Sequence, residues 1–303
     1  MTAELIQAGS EYVIRASPAG ADVRLVCAEV HQRNWSRVAK GFLVTPGQSP
    51  VACFIKQYIG KDGAMHADHW DYEREGVERA ASILKEVVSV PKLLIHDELR
   101  VLNVFEYFEI VSLDQLLRTD ATAFNRCIDS VLRRMDQVLA ALLAAPASCD
   151  ITGLKSKARK YGHLGVAVNF KGFEIRNAGV PQSVSSSVSA DDLVLFDFVR
   201  PYLAPVEEAA AKLFVSVGML NWGSPLGRFA AGPDTALLAR AESILRPWLD
   251  RDAVDAELEL QQKFRNSELK GSQGIEVFLK WLGVAVFGRY YFAKLRAWCV
   301  KNV

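Results

Sequence analysis

The sequence predicts an α+β protein in two parts, a small antiparallel sheet carrying one helix followed by a larger, mainly helical half. Two observations lead there. The first hundred residues hold short runs rich in Val, Ile, Phe and Tyr, broken by Gly and Pro, whereas from Ser112 onward the apolar residues recur at helical spacing. The order is strands, one helix, two strands, then mostly helices, which fits segregated α+β layers better than βαβ winding.

Glu11–Ser17, Asp22–Glu29, Gly41–Thr45 and Val51–Tyr58 read as short strands, with turns at Pro18, Gly20 and Pro46-Gly47-Gln48. Asp71 to Lys85 reads as a helix with Val77, Ala80, Ala81 and Leu84 on one face, and Val90-Pro91 ends it. Leu93–Ile95 and Leu99–Tyr107 read as two further strands. Ala123–Ala145 reads as a long amphipathic helix stopped by Pro146. Gly165–Val168, Glu174–Asn177 and Leu193–Phe198 read as short strands, and the serine-rich loop 180–192 joins the last two. From about Val206 the chain is mostly helix, interrupted at 221–234. The resulting division is residues 1–105 as a first lobe, 106–111 as a hinge and 112–303 as a second lobe.

Composition excludes several classes. In 303 residues the formal net charge is +1, so no global field argues for nucleic acid. Five scattered cysteines without a CxxC read as reduced thiols and argue against a zinc site of that kind. The N-terminus lacks the apolar core of a secretory signal, and no run approaches the ~18 apolar residues of a spanning helix. The expected location is cytoplasmic.

Three short motifs carry chemistry. Ala52-Cys-Phe-Ile-Lys56 puts a lysine inside an apolar strand. Taken alone, such a lysine most often snorkels to solvent. Tyr72-Glu73-Arg-Glu75 opens the following helix and offers carboxylates that could hold an ammonium in place. Leu193-Val-Leu-Phe-Asp197-Phe198 sets an acid after four apolar residues. That is costly unless the acid is paired or binds a metal, though a strand-end turn cap is the plainer alternative.

Together, in this order, the motifs resemble the protein-kinase-like superfamily over residues 40 to 225, closest to its aminoglycoside-phosphotransferase and lipopolysaccharide-kinase branches. Glu-Arg-Glu followed by Val90-Pro-Lys-Leu-Leu is a phrase of the first branch. The resemblance implies that Lys56 binds the α- and β-phosphates of ATP and that Asp197 holds Mg²⁺. The backbone around Glu106 to Phe108 would meet the adenine. Glu75 matches the family glutamate that pairs with the lysine, whereas helical periodicity favours Glu73, and both stand as candidates with Glu75 preferred. Against the family pattern His-x-Asp-x-x-x-x-Asn, an ungapped match places Asn169 on the catalytic aspartate, Lys171 on the catalytic lysine and Glu174 on the second metal ligand. An amide cannot accept a proton as a carboxylate does, so this loop departs from the pattern in its base. No GxGxxG covers the phosphates, and Arg200 is a further departure.

The implied activity is ATP- and Mg²⁺-dependent phosphoryl transfer to a hydroxyl of a sugar, glycan or other small molecule. The alternative is a pseudokinase that serves as a regulatory or scaffold module. Two smaller signals complete the reading. His66-Ala-Asp68-His69 reads as a solvated loop near a helix start. The segment 275–301 interleaves aromatic residues with Lys280, Arg289, Lys294, Arg296 and Lys301 against Glu276. It fits a core helix with a basic outer face, or a peripheral contact at the inner face of a membrane.

Overall fold

The computed structural model describes residues 4–16, 21–33, 35–60, 63–157, 161–184, 187–220, 232–268 and 288–303. Contacts divide the chain into two compact units, the first made of Met1–Lys85, Ser89–Glu109 and Val194–Pro201, the second of Glu86–Val88, Ile110–Leu193 and Tyr202–Val303. The segment 194–201, read from sequence as part of the helical half, therefore folds with the first unit.

The first unit is built on a six-stranded antiparallel sheet. Its strands are β1 (Glu11–Ala16), β2 (Ala21–Gln32), β3 (Arg37–Val44), β4 (Val51–Gln57), β5 (Leu93–Asp97) and β6 (Leu102–Glu106), in the order β1-β2-β3-β4-β6-β5. Strand β2 is longer than its apolar run because a register shift between Cys27 and Glu29 lets it carry on along β3. One face of the sheet buries Ile14, Leu25, Cys27, Ala39, Cys53, Ile55, Leu102 and Val104 together with Ile6. Gly41 lies in β3 where a Cβ would fall 2.4 Å from the Val26 carbonyl oxygen and 2.6 Å from Ile55, so only glycine lets the sheet close here.

Helix α1 (Ala67–Leu84) begins four residues earlier than its periodicity suggests, and buries Glu73, Gly76, Val77, Ala80 and Leu84. Beyond it, β10 (Val194–Leu195) makes a parallel bridge from Val194 to Ser89, and the Leu195 amide donates to the Ser89 carbonyl at 2.9 Å.

In the second unit, β7 (Val111–Ser112) leads into α2 (Leu113–Thr119) and α3 (Ala121–Ser148), whose first turn is capped by Asp120 accepting from the Ala123 amide at 2.9 Å. Pro146 does not stop α3, which runs on to Ser148 with the proline in its last turn. Strand β8 (Val166–Lys171) is hydrogen-bonded to β11 (Val199–Pro205). Glu174–Asn177 is not a strand: Ile175–Asn177 is a 3-10 turn, and β9 (Ala178–Val180) follows it to pair with β7.

Helix α4 (Val206–Gly218) is buried along its length except at Lys212, with Glu207 and Glu208 among its buried residues. Around it stand α5 (Thr235–Leu245), capped by Asp234, α6 (Arg251–Glu268) and α7 (Arg289–Asn302). Helix α7 is a core helix on its inner face: Tyr291, Phe292, Leu295 and Cys299 are buried, and the Tyr291 hydroxyl donates to the Gly218 carbonyl. The rest of the basic aromatic segment, 275–287, lies outside the described residues, as do 221–231 and the turn at 17–20. All five cysteines are free thiols, and burial pushes Cys53 and Cys299 up to about 12. No described helix is long and apolar enough to cross a membrane.

Truncating Ile55 to Ala should leave a cavity in the sheet core and lower unfolding free energy by about 2–5 kcal/mol in a denaturant titration.

Candidate active site in the first unit

Lys56 sits on the face of β4 opposite Cys53 and Ile55, because successive side chains alternate across a strand. Its ammonium lies 2.7 Å from Glu73 Oε2 and 2.6 Å from Asp197 Oδ1. Burial alone would lower the Lys56 pKa. The two carboxylates more than reverse that and hold the ammonium above the usual lysine range. Glu73 is pushed up by burial, opposed by Lys56. Its side chain is 5% exposed whereas that of Asp197 is 42% exposed, so solvent weakens the aspartate half of the arrangement far more.

The partner of Lys56 is thus Glu73 and not the preferred Glu75, which reaches Arg79 one turn along the helix at 3.8 Å. The reason is geometric. Glu73 shares the buried stripe of Val77, Ala80 and Leu84, and Glu75 is rotated two residues off that stripe.

Glu73 is held from behind by residues that the sequence motifs do not include. The Tyr58 hydroxyl donates to Glu73, and burial followed by the Glu73 charge raises the Tyr58 pKa well above its usual value. Asn103, fully buried on β6, donates through Nδ2 to the Tyr58 oxygen and to the Trp70 carbonyl, both at 3.1 Å. His96 Nδ1 lies 2.7 Å from Asn103 Oδ1. A continuous polar chain therefore runs from β5 through β6 to the ammonium. Its sequence signal is a buried asparagine and a strand-end tyrosine in apolar surroundings, too common to single out without contacts.

Asp197 stands between β10 and β11 with a φ of 65°, in the left-handed region, which few non-glycine residues adopt. It is not inside a strand, since β10 ends at Leu195. At the end of β6, Glu106 exchanges backbone contact with Lys92, its amide donating to the Lys92 carbonyl at 2.9 Å. Tyr107 carries the Lys40 ammonium over its ring at 4.4 Å. Phe108 is half-buried beyond it.

In the second unit, Asn169 lies within β8 and is 0% exposed. Its Nδ2 donates to the Ala204 and Pro205 carbonyls at 3.2 and 3.3 Å. That is the environment of a strand-tying amide, not of a group presented to substrate. Lys171 ends the same strand and is exposed. Glu174 has both oxygens engaged: one accepts from Arg176, the other from Gln261 Nε2 at 3.2 Å. The spacing that the family pattern gives its aspartate and asparagine, five residues, recurs at Gly172 and Asn177, and the Asn177 Nδ2 donates to the Gly172 carbonyl at 2.7 Å. The turn they close is anchored to α4 by Ser216, whose Oγ accepts from the Ile175 amide at 2.9 Å. The ungapped match of the sequence puts Asn169 three residues before Gly172, inside β8.

A divalent cation prefers carboxylate oxygen, and Asp197, part-exposed, has that chemistry. Glu174, with both oxygens committed to neighbours, fits such a role poorly. Among the described residues no cluster of three His, Cys, Asp or Glu side chains could hold a metal.

In the first unit the antiparallel sheet supplies the lysine, the next helix a glutamate, and the segment after the β10 bridge an aspartate. No protein-family model matches the chain, and no curated protein matches it. Solved structures do. The chain is similar to a choline kinase from Streptococcus pneumoniae at 12% identity and a TM-score of 0.47, over 91% of this chain and 95% of that one. It is similar to a Plasmodium vivax ethanolamine kinase at 12% identity and a TM-score of 0.41, over 91% and 83%. It is also similar to an amicoumacin kinase in complex with AMP-PNP and Ca²⁺, at 11% identity and a TM-score of 0.44, over 93% and 90%. The likeness is one of fold.

Two outcomes follow. Lys56→Met leaves Glu73 buried without its cation and should cost about 3–5 kcal/mol, much of it recovered in the double variant with Glu73→Gln, read by denaturant unfolding. In the second unit, burial pushes Glu257 up to about 7, with Gln261 and Lys212 opposing and Glu174 and Glu208 adding to the rise. The folded chain then holds a proton that the unfolded chain releases near its ordinary value. This contribution is fully present below about pH 4.5 and is lost as pH rises towards 7. Stability should fall by on the order of 1–3 kcal/mol between pH 5 and 8, and Glu257→Gln should flatten that slope in thermal melts across the range.

Proposed function

We propose that the chain binds a nucleoside triphosphate with a divalent cation and transfers its terminal phosphoryl group to a hydroxyl of a small molecule. The observation that carries this reading is the Lys56 ammonium held between Glu73 and Asp197. A buried ammonium kept charged and fixed by a carboxylate is what an α,β-phosphate clamp needs, and Glu73 supplies the fixing without itself facing solvent. On this reading Asp197, part-exposed beside Lys56, would hold the divalent cation. The cation, when bound, neutralises charge on the phosphates. The backbone of 106–108 takes the adenine. ATP is the expected nucleotide, and a sugar or glycan hydroxyl the finer expectation for the acceptor.

Asn169 has no part in this scheme: buried and donating to two carbonyls, it supports its strand. Lys171, exposed at the strand end, is the candidate for contact with the transferring group. Asn177, closing the turn from Gly172, replaces Glu174 as the candidate for contact with the cation. Glycine at 172 supplies no base, so transfer would rest on positioning and charge neutralisation, which carry most of phosphoryl-transfer catalysis. The same glycine favours a second reading, a nucleotide-binding pseudokinase that regulates a partner. A peripheral membrane contact would use the exposed Arg289, Lys294 and Lys301 on the outer side of α7, since its inner aromatic face is occupied.

Mg-ATP at 100 times its Kd should stabilise the wild type by about 2.7 kcal/mol, a rise in melting temperature that Lys56→Met and Asp197→Asn abolish. Transfer of label from γ-labelled ATP to a panel of small-molecule and sugar acceptors separates the readings. Stabilisation with transfer supports the enzyme and stabilisation without it the pseudokinase. No stabilisation overturns both.

A further inference from the structure

Helix α1 meets the segment 197–200 at three places, all within the first unit. At Glu73 the meeting is through Lys56 to Asp197. One turn before Gly76, Tyr72 lies under the Arg200 guanidinium, 4.8 Å from the ring centroid. At Gly76 itself the helix lies directly against backbone. A Cβ there would fall 2.4 Å from the Phe198 carbonyl oxygen, 2.8 Å from its carbon and 3.1 Å from the Val199 nitrogen. No flexible side chain is available to yield. Two residues of this four-residue segment, Asp197 and Arg200, have φ values of 65° and 41°. Non-glycine residues persist in that region only where their surroundings hold them.

These observations belong together. Strained backbone at 197–200 needs a support, and α1 is the support. The ordinary preference for alanine over glycine inside a helix runs against Gly76, so the position is set by close approach and not by the helix. Residues 72 and 73 lie four and three positions before Gly76, so both neighbour it on the helix surface. Any widening at Gly76 therefore acts on Glu73 and Asp197 at once.

We propose that Gly76 is a positioning residue: its missing Cβ lets α1 lie on the Phe198–Val199 backbone, and that approach, with Tyr72 gripping Arg200, sets the two carboxylates of the Lys56 site on one ammonium. The proposal rests on the reading of Lys56 as the phosphate lysine for its consequence, though not for its geometry. Arg200, a departure from the family pattern, is the outer half of the same clasp.

The test reads the lysine itself. Acylation by an amine-reactive ester needs a neutral, accessible amine, and Lys56 is held charged and enclosed. Wild type, Gly76→Ala and Tyr72→Leu are pulsed with the ester at pH 8, without nucleotide, and labelling at each lysine is quantified by peptide mass spectrometry. Circular dichroism establishes which variants are folded. Labelling of Lys56 is expected to rise about tenfold in Gly76→Ala and by a smaller factor in Tyr72→Leu, with Lys40, Lys92 and Lys171 unchanged. Wild-type labelling of Lys56 in a folded Gly76→Ala overturns the proposal. Should that variant fail to fold, wild-type labelling in Tyr72→Leu overturns it alone. The thermal shift of the wild type with Mg-ATP separates the two claims: its absence counts against the nucleotide reading and leaves the role of Gly76 standing.

Discussion

Everything in the first unit turns on keeping one ammonium charged inside apolar surroundings. Burial disfavours a charged lysine, and the Lys56 side chain, near the end of β4, is only 17% exposed. Two carboxylates reverse the preference, and each of them then needs support of its own. Glu73 is buried and takes the Tyr58 hydroxyl, which Asn103 orients in turn. Asp197 is half in water and takes its place from a strained turn that α1 holds down. The cost of one desolvated cation thus propagates through β4, β5, β6, α1 and the 197–200 segment.

That propagation is confined to the first unit. The residues that would hold phosphate are interlocked, so altering one disturbs several. The residues that would perform transfer are arranged in the second unit on different terms. Asn169 is spent on tying β8 to the backbone of Ala204 and Pro205, and Glu174 on Arg176 and Gln261. The turn from Gly172 to Asn177, anchored by Ser216, keeps the spacing of a kinase catalytic loop without its acid.

How much was legible beforehand differs by kind of residue. The strands and α1 follow from apolar runs and helical spacing, and Lys56 and Asp197 stand out because a charge amid apolar residues always has to be explained. The choice of Glu73 over Glu75 was also present in the sequence, in its register with Val77, Ala80 and Leu84, although the family phrase pointed the other way. Asn169, matched to the pattern without a gap, lies inside β8, which runs on to Lys171, and its amide donates to backbone carbonyls.

The sequence by itself determined the alternation of sheet and helix and the lysine in its strand, because periodicity and desolvation are local properties of the chain. Only the tertiary structure decided that Val194–Pro201 returns to the first unit, that Gly76 makes room for it, and that Tyr58 and Asn103 stand behind Glu73. These are contacts between residues far apart in the chain. A glycine or a buried amide has no distinguishing mark in one dimension, and its meaning comes from the backbone or hydroxyl that folding brings against it.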